Sequence, residues 1–126
     1  MRALVIDDSK AMRSILGRQL RQMGFDVLEA GNGREGLDQL RQQGKPEVAL
    51  VDWNMPEMDG LAFVRAVRAD PAYVDLRLMM VTTENDLARV SAALEAGANE
   101  YVMKPFTADV LADKLGLLGF VVRSDA

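Results

Sequence analysis

Five side chains with chemical capability stand directly after short apolar runs. Asp7 and Asp8 follow Ala3-Leu4-Val5-Ile6, Asp52 follows Val48-Ala49-Leu50-Val51, Thr82 follows Leu78-Met79-Met80-Val81, and Lys104 follows Tyr101-Val102-Met103 and precedes Pro105. If the first and third runs are neighbours, three carboxylates share one crevice, and only a cation or protonation relieves their repulsion. Mg2+ suits such a place, because it takes oxygen ligands, is held by one or two carboxylates plus waters, and leaves positions open for phosphate oxygens. The charges then balance, with -3 from the acids, +1 from Lys104 and +2 from the metal. A neutral pocket containing a carboxylate suits phosphoryl transfer onto aspartate. The incoming group spreads charge over its equatorial oxygens, and Mg2+, the Lys104 ammonium and the Thr82 hydroxyl can each partner a different one.

Taken singly, each residue has an ordinary reading. Acidic residues at strand ends form turns or cap helices, and Asp8 or Ser9 can cap the first helix. A Lys-Pro pair is usually a plain loop. The coincidence of all five at one edge is what favours a site.

The elements that must position them follow from the change of hydrophobic period. Five short apolar runs alternate with five amphipathic ones, punctuated by Gly, Pro, Asn or Asp. The strand candidates are Ala3 to Ile6, Phe25 to Ala30, Val48 to Val51, Leu78 to Val81 and Tyr101 to Met103. The first helix runs from Lys10 to Met23, with Met12, Ile15, Leu16, Leu20 and Met23 on its apolar stripe and Gly24 as its stop. The second runs from about Arg34 to Gln43, with Leu37 and Leu40 inward. The third carries Leu61, Val64 and Val67 and stops before Asp70-Pro71. The fourth spans Glu84 to Ala96, and Thr107 caps a last helix through Val110, Leu111 and Leu115. Strands one, three and four are continuously apolar, as parallel strands covered on both faces require. Strict strand-helix alternation with right-handed crossovers then implies an α/β fold, a doubly wound open sheet with ligands at the carboxyl ends of its strands.

Composition bounds the chemistry further. The 126 residues are one domain's worth, so a single domain over 1–126 is expected. Hydrophobic residues at 49% and charged ones at 27% are globular proportions. A net charge of -4 gains little on a phosphate backbone, so direct nucleic-acid binding is not expected. Cysteine and histidine are both absent, which excludes disulfides, thiolate nucleophiles, zinc fingers, Ser-His-Asp triads and histidine kinase activity. The four apolar residues before Asp7 are too few for a signal peptide, and no apolar stretch approaches the ~18 residues of a membrane span. No membrane insertion and a cytoplasmic location are expected.

The sequence resembles response-regulator receiver domains, most closely the single-domain chemotaxis regulators, from Arg2 to about Leu118. The motifs that carry the resemblance are Val5-Ile6-Asp7-Asp8, Asp52-Trp53-Asn54-Met55-Pro56 with Met58-Asp59-Gly60, Val81-Thr82, and Tyr101-Val102-Met103-Lys104-Pro105-Phe106. The resemblance implies a (βα)5 flavodoxin-like three-layer sandwich with sheet order 2-1-3-4-5. It also implies that Asp52 is the phosphoacceptor, that Asp8, Asp52 and the Asn54 carbonyl bind Mg2+, and that Asp7 orients the metal through water. Lys104 would pair with the phosphoryl group, and the Lys104-Pro105 bond would be cis. The donor would be a phosphohistidine on a sensor histidine kinase of the CheA-like kind. Thr82 would then move toward the phosphoryl oxygen and Tyr101, exposed in one rotamer, would turn into the vacated space, a shift between two pre-existing states.

The surface altered would be that of helix four, strand five and helix five, with Leu87, Val90, Leu94, Tyr101 and Lys114 meeting the partner. As a bare stripe, Leu87, Val90 and Leu94 read at least as well as core packing. Thr83 and Glu84 flank the site and are expected to tune the lifetime of the acyl phosphate.

Four functions compete. The first is a monomeric phosphorylatable receiver that carries a signal from a chemotaxis kinase to a flagellar motor switch protein. It is no enzyme beyond catalysing its own phosphorylation and dephosphorylation. The second keeps that chemistry in a phosphorelay or cell-cycle receiver acting on other kinases, and Trp53-Asn54 with Tyr101 and Phe106 leans toward the first. A flavin-binding protein needs a Ser/Thr/Gly-rich loop after the first strand, where Asp7-Asp8 would repel a phosphate. An aspartate phosphatase usually needs a second acid two residues after its nucleophile, whereas position 54 is Asn. A degenerate module working without phosphorylation would not need all five site residues, and none is missing. The segment Gly116 to Val122 interrupts the last helix and is expected either to pack on the body or to meet a partner.

Overall fold

The computed structural model describes residues 1–53, 55, 58–82 and 87–122, without the side chain of Leu87. Asn54, Thr83 and Glu84, and with the last the expected start of the fourth helix, lie outside the described residues. Five strands, β1 (Arg2–Ile6), β2 (Asp26–Ala30), β3 (Val48–Asp52), β4 (Arg77–Thr82) and β5 (Glu100–Met103), form one sheet in the order β2-β1-β3-β4-β5. All neighbours are parallel. Between and after them run α1 (Lys10–Gln22), α2 (Gly33–Gln43), α3 (Gly60–Arg68), α4 (Leu87–Ala96) and α5 (Ala108–Leu117). This is the doubly wound, flavodoxin-like sandwich that the sequence implies.

The central strands are apolar at successive positions because each face of the sheet carries its own core. Ala3, Val5, Val48, Leu50, Met79 and Val81 join Leu16 and Leu20 of α1 and Leu111 and Leu115 of α5. Leu4, Ile6, Ala49, Val51, Leu78 and Met80 point the other way, onto Leu40 of α2, Phe63, Val64 and Val67 of α3, and Ala93 of α4. The period of two that a strand imposes is thus hidden in an unbroken hydrophobic run.

Four helices start on side-chain caps. Ser9, Asn32, Asp59 and Thr107 accept from the backbone N–H of Met12, Glu35, Ala62 and Val110 at 3.2, 2.9, 2.8 and 3.3 Å. Such a cap contributes about 1 kcal/mol. Because Ser9 performs this task for α1, Asp8 is spared for other chemistry. At the opposite edge, Arg68 at the end of α3 donates to the carbonyls of Tyr73, Leu76 and Gly97 at 2.7, 2.6 and 2.9 Å, tying the turns before β4 and β5 together. Burial, and then the like charge of Arg77, holds its guanidinium below the ordinary value.

Two expectations about helices need correction or completion. Ile15 is not on the buried stripe of α1 but 47% exposed, since Leu16, Leu20 and Met23 already meet the sheet and Ile15 falls on the flank. The interrupted end of α5 packs on the body. Gly119, at φ +95°, donates to the Gly116 carbonyl, and Phe120 N–H reaches back to Leu115 at 3.1 Å, a Schellman stop that requires a left-handed residue. Phe120 then lies edge-on to Phe25, ring centroids 5.8 Å apart, closing the core beneath α1 and α5.

Candidate functional site

Sheet register gathers the site. Ile6 pairs with Val51, Asp52 with Val81 and Thr82 with Met103, so the residues at or just past these strand ends, Asp7, Asp52, Thr82 and Lys104, emerge side by side. Asp7, Asp52 and Thr82 are 1%, 7% and 5% exposed, the polar residues buried in an otherwise apolar interior among the described residues. Asp8 is exposed at the rim. One carboxylate oxygen from each of Asp7, Asp8 and Asp52 lies within 4.8 Å of the others.

Lys104 lies among them, its Nζ donating to Asp7 Oδ2 at 3.1 Å and standing 3.7 Å from Asp52 Oδ1. The other Asp7 oxygen, Oδ1, accepts from the Ser9 N–H at 2.9 Å. Backbone bonds hold the frame: Lys104 N–H to the Thr82 carbonyl at 2.7 Å and Trp53 N–H to the Val81 carbonyl at 3.2 Å. The Lys104-Pro105 bond is cis, as expected.

The donor set fits a hard divalent cation. It consists of carboxylate oxygens alone, and three formal negative charges against one ammonium leave a residue of two. Two of the acids are buried, where like charges repel most strongly for want of solvent, and the third faces water and keeps an entry route.

Beyond the pocket the expected surface is only partly of the expected kind. Tyr101 is half-buried and packs against the core shared by α2, α3 and α4. Lys114 is no loose surface charge: its Nζ lies 4.5 Å from the Tyr101 ring centroid and 3.3 Å from Glu100 Oε1. Leu94 is 43% exposed while Val90 is half-buried, so the stripe on α4 is divided between core and solvent.

Three contributors are not among the site residues expected from the sequence. Arg13 of α1 donates to the Asp7 carbonyl at 2.6 Å. Arg89 of α4 lies 5.5 Å from the centroid of the Trp53 ring, a cation-π contact beside the phosphoacceptor candidate. Gly60 is the third: a methyl there would stand 2.5 Å from the Asp52 carbonyl oxygen, 2.8 Å from Met80 Cε and 3.1 Å from Trp53 Cα. Two of those atoms are backbone and cannot yield without moving the end of β3. Gly60→Ala is therefore expected to cost about 1–3 kcal/mol in urea unfolding, and to weaken divalent-cation binding in calorimetry by shifting Asp52. Wild-type values in both measurements would show that the β3 exit adapts freely.

An acidic pocket at the carboxyl edge of a 2-1-3-4-5 sheet, with a lysine bridging its acids, defines a class, and the chain belongs to it: the family described as response regulator receiver domain matches residues 3–116. Within that family the chain is a receiver domain of the CheY-like chemotaxis kind. It is 49% identical over 116 residues to a chemotaxis protein CheY homolog of Campylobacter jejuni, covering 91% of this chain and 89% of that one. To chemotaxis protein CheY1 of Helicobacter pylori strain J99 it is 47% identical over 116 residues, covering 91% and 94%. The solved structure of Vibrio cholerae chemotaxis protein CheY4 superposes with a TM-score of 0.87 at 32% identity, over 93% of this chain and 97% of that one. Among the described residues no helix is long and apolar enough to cross a membrane.

Proposed function

We propose that the protein is a monomeric, cytoplasmic phosphorylation switch in which Asp52 accepts a phosphoryl group from a phosphohistidine of a sensor kinase. The observation that carries this reading is the convergence of three carboxylate oxygens within 4.8 Å, with Lys104 bonded to Asp7 and close to Asp52. An Asp52 oxygen attacks phosphorus, the P–N bond breaks, and the imidazole leaves with its electron pair and takes up a proton. Hydrolysis of the acyl phosphate later returns the carboxylate and inorganic phosphate. The chain acts on no other substrate, so its catalysis is confined to its own modification.

Asp7, Asp8 and Asp52, with the Asn54 carbonyl, would hold Mg2+, which when bound neutralises charge on the transferring phosphoryl oxygens. The chain's own residues do the rest. Asp7, fixed by Ser9 and Lys104, orients the pocket, Lys104 exchanges its carboxylate partners for a phosphoryl oxygen, and the Thr82 hydroxyl turns to a second oxygen. Thr82 and Tyr101 lie on the same face of the sheet one diagonal step apart, since Met80 pairs with Tyr101 and Thr82 with Met103. Movement of Thr82 thereby reaches the face formed by Leu87, Val90, Leu94, Tyr101 and Lys114, which would meet a flagellar motor switch protein.

Trp53, half-buried beside Asp52, reports on both steps. Its fluorescence is expected to change on addition of Mg2+ and again with beryllofluoride, a phosphoryl mimic. Affinity for a flagellar switch peptide is expected to rise at least severalfold with beryllofluoride. A fluorescence response without any gain in peptide binding would instead direct the search to other kinases as targets, the phosphorelay alternative.

A further inference from the structure

α1 carries Lys10, Arg13, Arg18 and Arg21 and no acidic residue. Three of these face solvent, whereas Arg13 turns inward, its side chain 19% exposed. Nη1 donates to the Asp7 carbonyl at 2.6 Å and Nε to Glu29 Oε1 on β2 at 3.3 Å. Arg21 approaches the other Glu29 oxygen at 4.0 Å, so the acceptor of this brace is itself restrained.

The carbonyl that Arg13 holds belongs to the peptide linking Asp7 to Asp8. That unit is planar, so fixing its oxygen fixes the direction in which Asp8 leaves the strand. The preceding peptide is fixed separately, Asp7 N–H bonding the Ala30 carbonyl at 3.1 Å. Asp7 is anchored through both carboxylate oxygens, but Asp8 is exposed at the rim, and its place relative to Asp7 is set by the peptide that Arg13 holds.

We infer that Arg13, braced on Glu29, is a positioning residue for the cation pocket, setting the relative orientation of the Asp7 and Asp8 carboxylates. The inference rests on the proposed cation site of these acids. Its sign separates it from the simplest alternative. A guanidinium next to a cation pocket repels the ion, so if charge were its only influence, removing it would tighten binding. As a positioning residue its removal loosens binding instead. Lysine keeps the charge but not the planar fork that serves the carbonyl and Glu29 together.

Calorimetric titration of Mg2+ into wild type, Arg13→Gln and Arg13→Lys tests this, with thermal melts in EDTA confirming that each variant is folded. Arg13→Gln is expected to weaken binding about tenfold, the scale seen when a ligand's supporting partner is lost, and Arg13→Lys to fall between it and wild type. If Arg13→Gln fails to fold, Arg13→Lys decides. A dissociation constant for Arg13→Lys equal to wild type, or one for Arg13→Gln at or below it, overturns the inference while leaving the cation site standing. No Mg2+ binding by the wild type removes the site and the inference together.

Discussion

Asp52→Asn is expected to abolish phosphoryl uptake and the beryllofluoride response of Trp53 while leaving the sheet intact. Asparagine has nearly the same shape, so the packing of a residue 7% exposed at the end of β3 is preserved. Its amide oxygen, however, is no nucleophile toward phosphorus and offers no negative charge for an acyl phosphate bond. The substitution should also reveal the tension in the pocket. Among the described residues Asp52 faces two carboxylates within 4.8 Å and the Lys104 ammonium at 3.7 Å, so without a cation the like charges of the described cluster outnumber the opposite one. Neutralising it should raise the unfolding free energy in EDTA by about 1 kcal/mol, a screened interaction at these distances, and Mg2+ should weaken accordingly. Urea unfolding with and without Mg2+ measures both. Retained labelling by a phosphohistidine donor would remove Asp52 from the role of acceptor, and a lower stability in EDTA would show that the ammonium, not the other acids, dominates its surroundings.

How much of this could be read from the chain depends on the physics of each part. The strands were legible because a sheet covered on both faces demands unbroken apolar runs, and Val48 to Val51 or Leu78 to Val81 have no other use. The pocket followed, since in a parallel sheet every strand ends at the same edge, and chemistry placed after β1, β3, β4 and β5 must meet there. Side-chain direction was less accessible. Ile15 has the right spacing for the α1 stripe yet lies on its flank, because the width of a helix's buried face depends on how closely the sheet approaches.

Arg13 reads as one solvated charge among many and Lys114 as part of a partner-facing surface, and the approach of Asp7 to the one and of Glu100 and Tyr101 to the other is what the fold adds. Gly60 stands in a motif, but nothing in its spacing discloses that the Asp52 carbonyl lies where its side chain would be. The close of α5 was ambiguous for a similar reason. Gly116 and Gly119 both weaken a helix, and the choice of Gly119 as the stop rests on Phe120 finding Phe25, a contact between residues far apart in the chain.

Lys104→Ala is expected to move two ligands in opposite directions. The ammonium is 14% exposed, 3.1 Å from Asp7 and 3.7 Å from Asp52, and it is the positive charge that stands in for a cation among the described residues of the pocket. Removing it takes away the counter-charge that the described residues supply to three carboxylates, so the folded protein in EDTA should lose about 2–3 kcal/mol, somewhat less than a fully buried pair broken on one side because Asp8 is solvated. A divalent ion then has more to gain, and Mg2+ affinity should rise about tenfold, equivalent to about 1.4 kcal/mol of relieved repulsion.

The phosphoryl mimic behaves oppositely. It brings negative charge and needs the charge-assisted bond that Lys104 is placed to donate, so beryllofluoride affinity at saturating Mg2+ should fall by about 10- to 100-fold, the strength of one such hydrogen bond. A lysine that merely held the pocket in shape would produce a different pattern, with both affinities declining together as the acids drift apart. Calorimetry with Mg2+ followed by fluorescence titration of beryllofluoride on the same variant separates the two. A parallel loss of both ligands would reduce Lys104 to a strut, and an unchanged beryllofluoride affinity would leave the phosphoryl oxygens to be held by Thr82 and the backbone alone.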